Sequence, residues 1–176
     1  MKCLFCLFLG LIVPTAAEAC SSPFLNSNED YFREADRVFV GFVESTEYVK
    51  PAPNAPVESL PETGSQHAPF GYIKVGYDLG TVLKGPEEAV PIVTWNLYLG
   101  GCGVPVLAGA EMLFLVKDFT SYMSEEELKQ VPENAVGMLL PYSYMIPPTD
   151  AAHDALIAAW KDISNRVAQE RENGRP

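Results

Sequence analysis

The chain has 176 residues, 48% of them apolar, with 12 basic against 23 acidic side chains and a formal net charge of −11. That length suits a single domain with its own core. An acidic field of this size repels phosphate backbones and anionic lipids, which argues against nucleic acid, heparin-like polymers and membrane surfaces as partners, although acidity also simply serves solubility.

Residues 1–19 have the pattern of a signal peptide. Met1 and Lys2 form a positive start, Cys3 to Val13 an apolar run, Pro14 a helix break, and Ala17-Glu18-Ala19 an A-x-A cleavage site. The apolar run is well short of the roughly 20 residues that span a bilayer as a helix, so it is expected to be removed, leaving Cys20 as the mature N-terminus. Two other processing routes compete with this one: cleavage after Ala17, and lipidation of Cys20, whose pattern Ala17 and Glu18 fit poorly. Loss of the signal takes Cys3 and Cys6 with it and leaves Cys20 and Cys102. An even count in an exported chain suggests one disulfide, worth roughly 4 to 5 kcal/mol in the loop-entropy model, or a bridge that only staples a free terminus.

Next in the chain, Ser27 followed by Asn28-Glu29-Asp30 predicts a capped short helix to Ala35. Arg37-Val38-Phe39-Val40-Gly41-Phe42-Val43 predicts a first strand. Residues 50–70 hold Pro51, Pro53, Pro56, Pro61 and Pro69 and predict a long exposed loop. His67 lies in that loop with only Glu62 near it as a conceivable metal ligand, so it is expected to be a solvated histidine.

Ile73, Val75, Tyr77 and Leu79 alternate with Tyr72, Lys74, Gly76 and Asp78, the period of a half-buried second strand. The alternation breaks at Gly80 and resumes at Val82, which predicts a bulge or bend. Val90 to Leu99 is nearly continuous in apolar residues, a third strand ending at Gly100-Gly101-Cys102-Gly103. Met112-Leu113-Phe114-Leu115-Val116 predicts a fourth strand and Val136 to Leu140 a fifth. Between them, Ser124 and Glu127 form a capping box for a short acidic helix, in which Glu125, Glu126 and Glu127 are a solvated face. Last, Thr149 or Asp150 opens a helix of about residues 150–172 whose Leu156, Trp160, Ile163 and Val167 form one apolar stripe, with Trp160 in the core and His153, beside Asp154, at the surface.

Five strands with long connections and a helix at each end predict a mainly β domain over residues 20–176, a five-stranded OB-type Greek-key barrel. Catalysis is not expected. His67 and His153 are accompanied by no G-x-S-x-G, H-E-x-x-H or phosphate-cradling glycine loop.

Several local patterns also fall in one order: Cys20, then Ala35-Asp36-Arg37-Val38-Phe39-Val40-Gly41-Phe42-Val43, Leu83-Lys84-Gly85, Cys102-Gly103, and Gly109 followed by Met112-Leu113-Phe114-Leu115. Together they resemble the netrin-like superfamily, most closely the N-terminal domain of the tissue inhibitors of metalloproteinases, over roughly residues 20–117. The resemblance implies an OB-type barrel in which Cys20 is bonded to Cys102. It also implies that the α-amine and carbonyl oxygen of Cys20 chelate a partner protease's zinc. Ser21 would enter the specificity pocket, with Ser22 and Pro23 following it, and Gly101, Cys102, Gly103 and Val104 would form a second contact ridge. No cofactor of the chain's own is implied.

The sequence departs from the family pattern where Ser22 stands in place of a further cysteine, and where the other disulfides and the cysteine-rich C-terminal subdomain are absent. Two functions therefore stand side by side. One is a secreted metalloendopeptidase inhibitor; the other is a netrin-like structural or interaction module of the cell envelope, in which the disulfide is only a staple.

Overall fold

A computed structural model describes residues 25, 27–50, 71–95, 104–129, 131–147 and 149–174. The elements run α1 (Asn28–Glu34), β1 (Arg37–Val49), β2 (Tyr72–Lys84), β3 (Ile92–Trp95), β4 (Glu111–Asp118), α2 (Glu125–Leu128), β5 (Gly137–Leu139), β6 (Tyr144–Met145) and α3 (Asp150–Glu172). The Pro-rich segment 51–70, with His67, lies outside the described residues.

Five of the strands close into a barrel in the order β1-β2-β3-β5-β4 and back to β1, with β3 and β5 parallel and every other pair antiparallel. This is the OB-type arrangement expected from the sequence, and β6 adds a short sixth strand outside it, paired to the start of β4. Closure depends on β1. Its first six residues, Arg37 to Phe42, pair with Val116 to Glu111 of β4 on one edge, while Val38 to Val49 pair with β2 on the other.

Two glycines permit the crossing. A Cβ on Gly41 would stand 2.8 Å from the Asp78 carbonyl oxygen and 3.3 Å from the Phe114 ring, and a Cβ on Gly80 would stand 2.8 Å from the Val40 carbonyl oxygen. The β1–β2 register slips between Phe39↔Val82 and Gly41↔Leu79, with the extra residue of β2 falling at Gly80-Thr81. The break in alternation at Gly80 is thus the bend where the barrel turns its corner.

Alternate residues of β1 and β4 face opposite sides of the barrel wall, and each side has its own cluster. Inside, Phe39, Val43, Val75, Ile92, Met112, Phe114 and Val116 pack together. At the centre Phe39, Tyr77 and Phe114 form an aromatic trio with ring centroids 4.8 to 5.1 Å apart, and the Tyr77 hydroxyl both donates to the Val90 carbonyl and accepts from its N–H. Outside, Val38, Val40, Leu113 and Leu115 are covered by Phe32 of α1 and by Trp160, Ile163 and Val167 of α3. The predicted stripe of α3 therefore meets the barrel's outer wall, with Leu156 packed partly buried at its edge. The apolar run of β3 lacks alternation because both its faces are covered: Ile92 belongs to the inner cluster and Val93 to a third one with Tyr72 and Phe119.

Polar groups fix the ends of these elements. Ser27 caps α1 by accepting the Asp30 N–H, and Ser124 and Glu127 complete the capping box of α2. Lys84, at the end of β2, donates to the carbonyls of Phe32, Arg33 and Ala35, placing its cation at the negative end of α1. Arg37 makes a bidentate pair with Asp118 at 2.9 to 3.2 Å, tying the start of β1 to the end of β4.

At Leu115, β4 changes neighbours from β5 to β6. There the Leu115 carbonyl accepts the Leu140 N–H, and the buried Ser143 hydroxyl accepts the Leu115 N–H (3.0 Å) and donates to the same carbonyl (3.1 Å), so that a side chain takes the N–H that a strand would take elsewhere.

Trp160 is 2% exposed and its indole N–H donates to the Tyr144 hydroxyl at 3.1 Å. Trp160→Ala is expected to cost about 3–5 kcal/mol through the cavity it leaves under α3. Ser143→Ala is expected to cost about 1–3 kcal/mol, since it strands a buried Leu115 N–H. Urea unfolding of the two variants against the parent checks both values.

Candidate functional site

The residues that the sequence singles out for partner contact fall around two places, the expected mature N-terminus at Cys20 and the Cys102 segment. Cys20, Ser21, Ser22 and Pro23 lie outside the described residues, as do Gly101, Cys102 and Gly103. Val104 is described, and so is the root from which the Cys102 segment springs.

At that root a hydrogen bond joins two buried residues. Thr94, the third residue of β3, is 1% exposed, and its hydroxyl accepts the Val104 N–H at 2.7 Å. The described chain breaks off after Trp95 of β3 and resumes at Val104, which is bonded back to that same strand. The Val104 side chain is 3% exposed and packs inside the barrel with the inner cluster. Val104, expected from the resemblance to belong to the contact ridge, is thus seated in the barrel core. Cys102 is two residues from this fixed point, a reach of about 7 Å at most.

A polar residue in an otherwise apolar strand must find a partner when buried. Thr94 stands in the run Ile92-Val93-Thr94-Trp95, and this was the available sequence signal for the root; its partner, ten residues on, could be found only in the fold. On the N-terminal side, the Tyr31 hydroxyl donates to the Leu25 carbonyl at 3.1 Å, holding the chain that precedes α1.

After Val104 the chain passes Leu107 to Ala110, a tight turn in which the Ala110 N–H donates to the Leu107 carbonyl and Gly109 has φ 87°. The turn is clamped to β1, since Val43 N–H donates to the Ala110 carbonyl and the Gly109 N–H donates to the Val43 carbonyl, both at 2.8 Å. The connection 104–110 is thus fastened to the barrel's frame at both ends.

His153, expected at the surface, is half-buried and bridges two elements. Its Nε2 lies 3.2 Å from Glu111 Oε1 of β4 and its Nδ1 lies 3.3 Å from Asp154 Oδ1. The hydrogen bond to Asp154 comes first, and against the desolvation of a half-buried ring it is joined by the charge and hydrogen bond of Glu111, so the imidazole is held above its ordinary pKa. A tie of this kind joins the first turn of α3 to the barrel and is structural.

Among the described residues no group of three or more His, Cys, Asp and Glu side chains is placed to hold a metal ion, and no helix is long and apolar enough to cross a membrane. Neither a protein-family model nor a curated protein matches the sequence.

Two outcomes test this geometry. Thr94→Val keeps the shape but leaves the Val104 N–H buried without an acceptor, and is expected to destabilise by about 1–3 kcal/mol with faster amide exchange at Val104. For His153 the folded-state pKa lies above the unfolded one. Its contribution to stability is therefore complete below the ordinary histidine pKa of about 6.5 and is lost as pH rises through the folded value. Proton NMR titration is expected to place His153 above 6.5 and to show a lower value in Asp154→Asn.

Proposed function

We propose that the mature protein is an exported binding protein that inhibits a zinc endopeptidase through Cys20. The α-amine and carbonyl oxygen of that residue form a five-membered chelate in the open coordination position of the protease's zinc, displacing its water. A disulfide from Cys20 to Cys102 aims both ligand atoms, Ser21 enters the specificity pocket, and the ridge of Gly101, Cys102 and Gly103 lies alongside. The cysteine count agrees with one such bridge, and so does the family resemblance in the order of the motifs.

The observation that carries the reading is the bond between Thr94 and Val104. An inhibitor of this kind needs its wedge held rigid before binding, because ordering it on contact would consume the affinity. Here the residue two positions after Cys102 is fixed by its backbone to β3 and by its side chain to the barrel core. A second brace is lacking, since the family's further cysteine is replaced by Ser22, so the barrel anchor has to carry the rigidity that a second disulfide carries elsewhere.

The chelate requires a neutral amine. Its ordinary pKa of about 7.7–8.0 makes deprotonation cheap near neutrality and costly in acid. Purified protein beginning at Cys20 is expected to slow a zinc endopeptidase of the matrix-degrading class, with inhibition falling by up to about tenfold per pH unit below the amine's pKa. One alanine added ahead of Cys20 is expected to abolish inhibition. Inhibition unchanged by that extension sinks the chelate, and a parent protein with no inhibitory effect leaves the interaction module of the cell envelope as the reading.

A further inference from the structure

A cavity of about 350 Å³ lies over Leu115 on the outer wall of the barrel, where α1, α3 and the chain around β6 meet. That volume falls in the range of small-ligand sites. Four aromatic side chains line it: Tyr31 of α1, Tyr142 just before β6, Tyr144 of β6 and Trp160 of α3. Tyr31 and Tyr142 stack with ring centroids 3.5 Å apart. Trp160 is buried, while Tyr144, whose hydroxyl accepts the indole N–H, is exposed, so the aromatic lining runs from the interior to the surface.

No Lys, Arg or His lines this cavity among the described residues. The nearest charge in the chain is Asp30, beside Tyr31. Its carboxylate accepts the Ser27 hydroxyl at 2.8 Å and meets no cationic side chain among the described residues. Desolvation first, then Tyr142, and to a smaller extent the charge of Asp30 hold the Tyr31 hydroxyl above its ordinary pKa. Aromatic rings beside an unbalanced carboxylate, on a chain with a net charge of −11, attract a cation and disfavour an anion.

The hydroxyls of the lining are already engaged. Tyr31 donates to the Leu25 carbonyl, Ser143 is bonded both ways to Leu115, and Tyr144 holds the Trp160 N–H. Only the exposed Asn28 has side-chain polar atoms with no bond among the described residues. A primary ammonium has three N–H donors to satisfy and would lose most of its water here without replacement. A quaternary ammonium has no N–H and loses none.

We propose that this cavity binds a quaternary ammonium group, held by the rings of Tyr31, Tyr142, Tyr144 and Trp160 and by the charge of Asp30. The site stands apart from the inhibitor reading and holds whether or not Cys20 meets zinc. The group comes either from a free solute or from the choline headgroup of a lipid.

The test titrates the purified mature protein with choline, with ethanolamine and with the neutral carbon isostere of choline, following the Trp160 indole N–H signal by NMR. Choline is expected to move that signal and to bind about tenfold or more tightly than either of the others. Tyr142→Leu is expected to weaken choline binding by about fivefold or more, and Asp30→Asn by about twofold or more with an unchanged melting temperature. Co-sedimentation with phosphatidylcholine vesicles, competed by free choline, assigns the group to a lipid headgroup, and binding of choline without such co-sedimentation assigns it to a solute. A Trp160 signal that choline leaves in place overturns the site. Equal binding of choline and its neutral isostere, or choline affinity unchanged in Asp30→Asn and Tyr142→Leu alike, overturns it as well.

Discussion

Everything in this fold depends on β1 pairing along both of its edges. β1 gives hydrogen bonds to β4 on one side and β2 on the other over the same few residues, and where its register with β2 slips, side chains would collide with the neighbouring backbone. Gly41 and Gly80 remove that obstacle from both strands at once, each lying where a Cβ would meet a carbonyl oxygen at 2.8 Å. The space left beside Gly41 is taken by Phe114, which stacks with Phe39 and Tyr77 at the centre of the barrel. Closure and core packing are therefore one event.

The closed barrel has a second apolar surface, its outer wall at β1 and β4, and the helices exist to cover it. The chain reaches α1 before β1 and α3 after β6, so the cover is made from both ends of the sequence. Lys84 couples the two layers. It belongs to β2, yet its ammonium binds the last carbonyls of α1, and burial among them pushes it below the ordinary lysine range. Ion pairs between α1 and α3, such as Arg166 with Glu29, are exposed and contribute little beside the burial of Trp160 and Phe32.

The barrel is filled with its own side chains, and the proposed function turns to its edge. The connection 104–110 is held by hydrogen bonds at both ends, at Thr94 with Val104 and at Val43 with Gly109 and Ala110, and so presents a fixed surface. Fixed surfaces are what an inhibitor, or any tight binding module, requires.

Much of this was legible in the amino-acid order. The alternation of β2, its break at Gly80, the stripe of α3 with Trp160 in the core, and the capping residues Ser27 and Ser124 are local signals, because each depends on residues a few positions apart. Cys20 and Cys102, on which the proposed partner chemistry turns, lie outside the described part of the fold. What the tertiary structure alone decided are contacts between distant positions. These are the Ser143 hydroxyl completing β4 at Leu115, the Lys84 cap on α1, the burial of Val104, and His153 drawn from the surface onto Glu111. No period or motif encodes them, since each arises only when barrel closure brings strands and helices from separate parts of the chain within hydrogen-bonding reach.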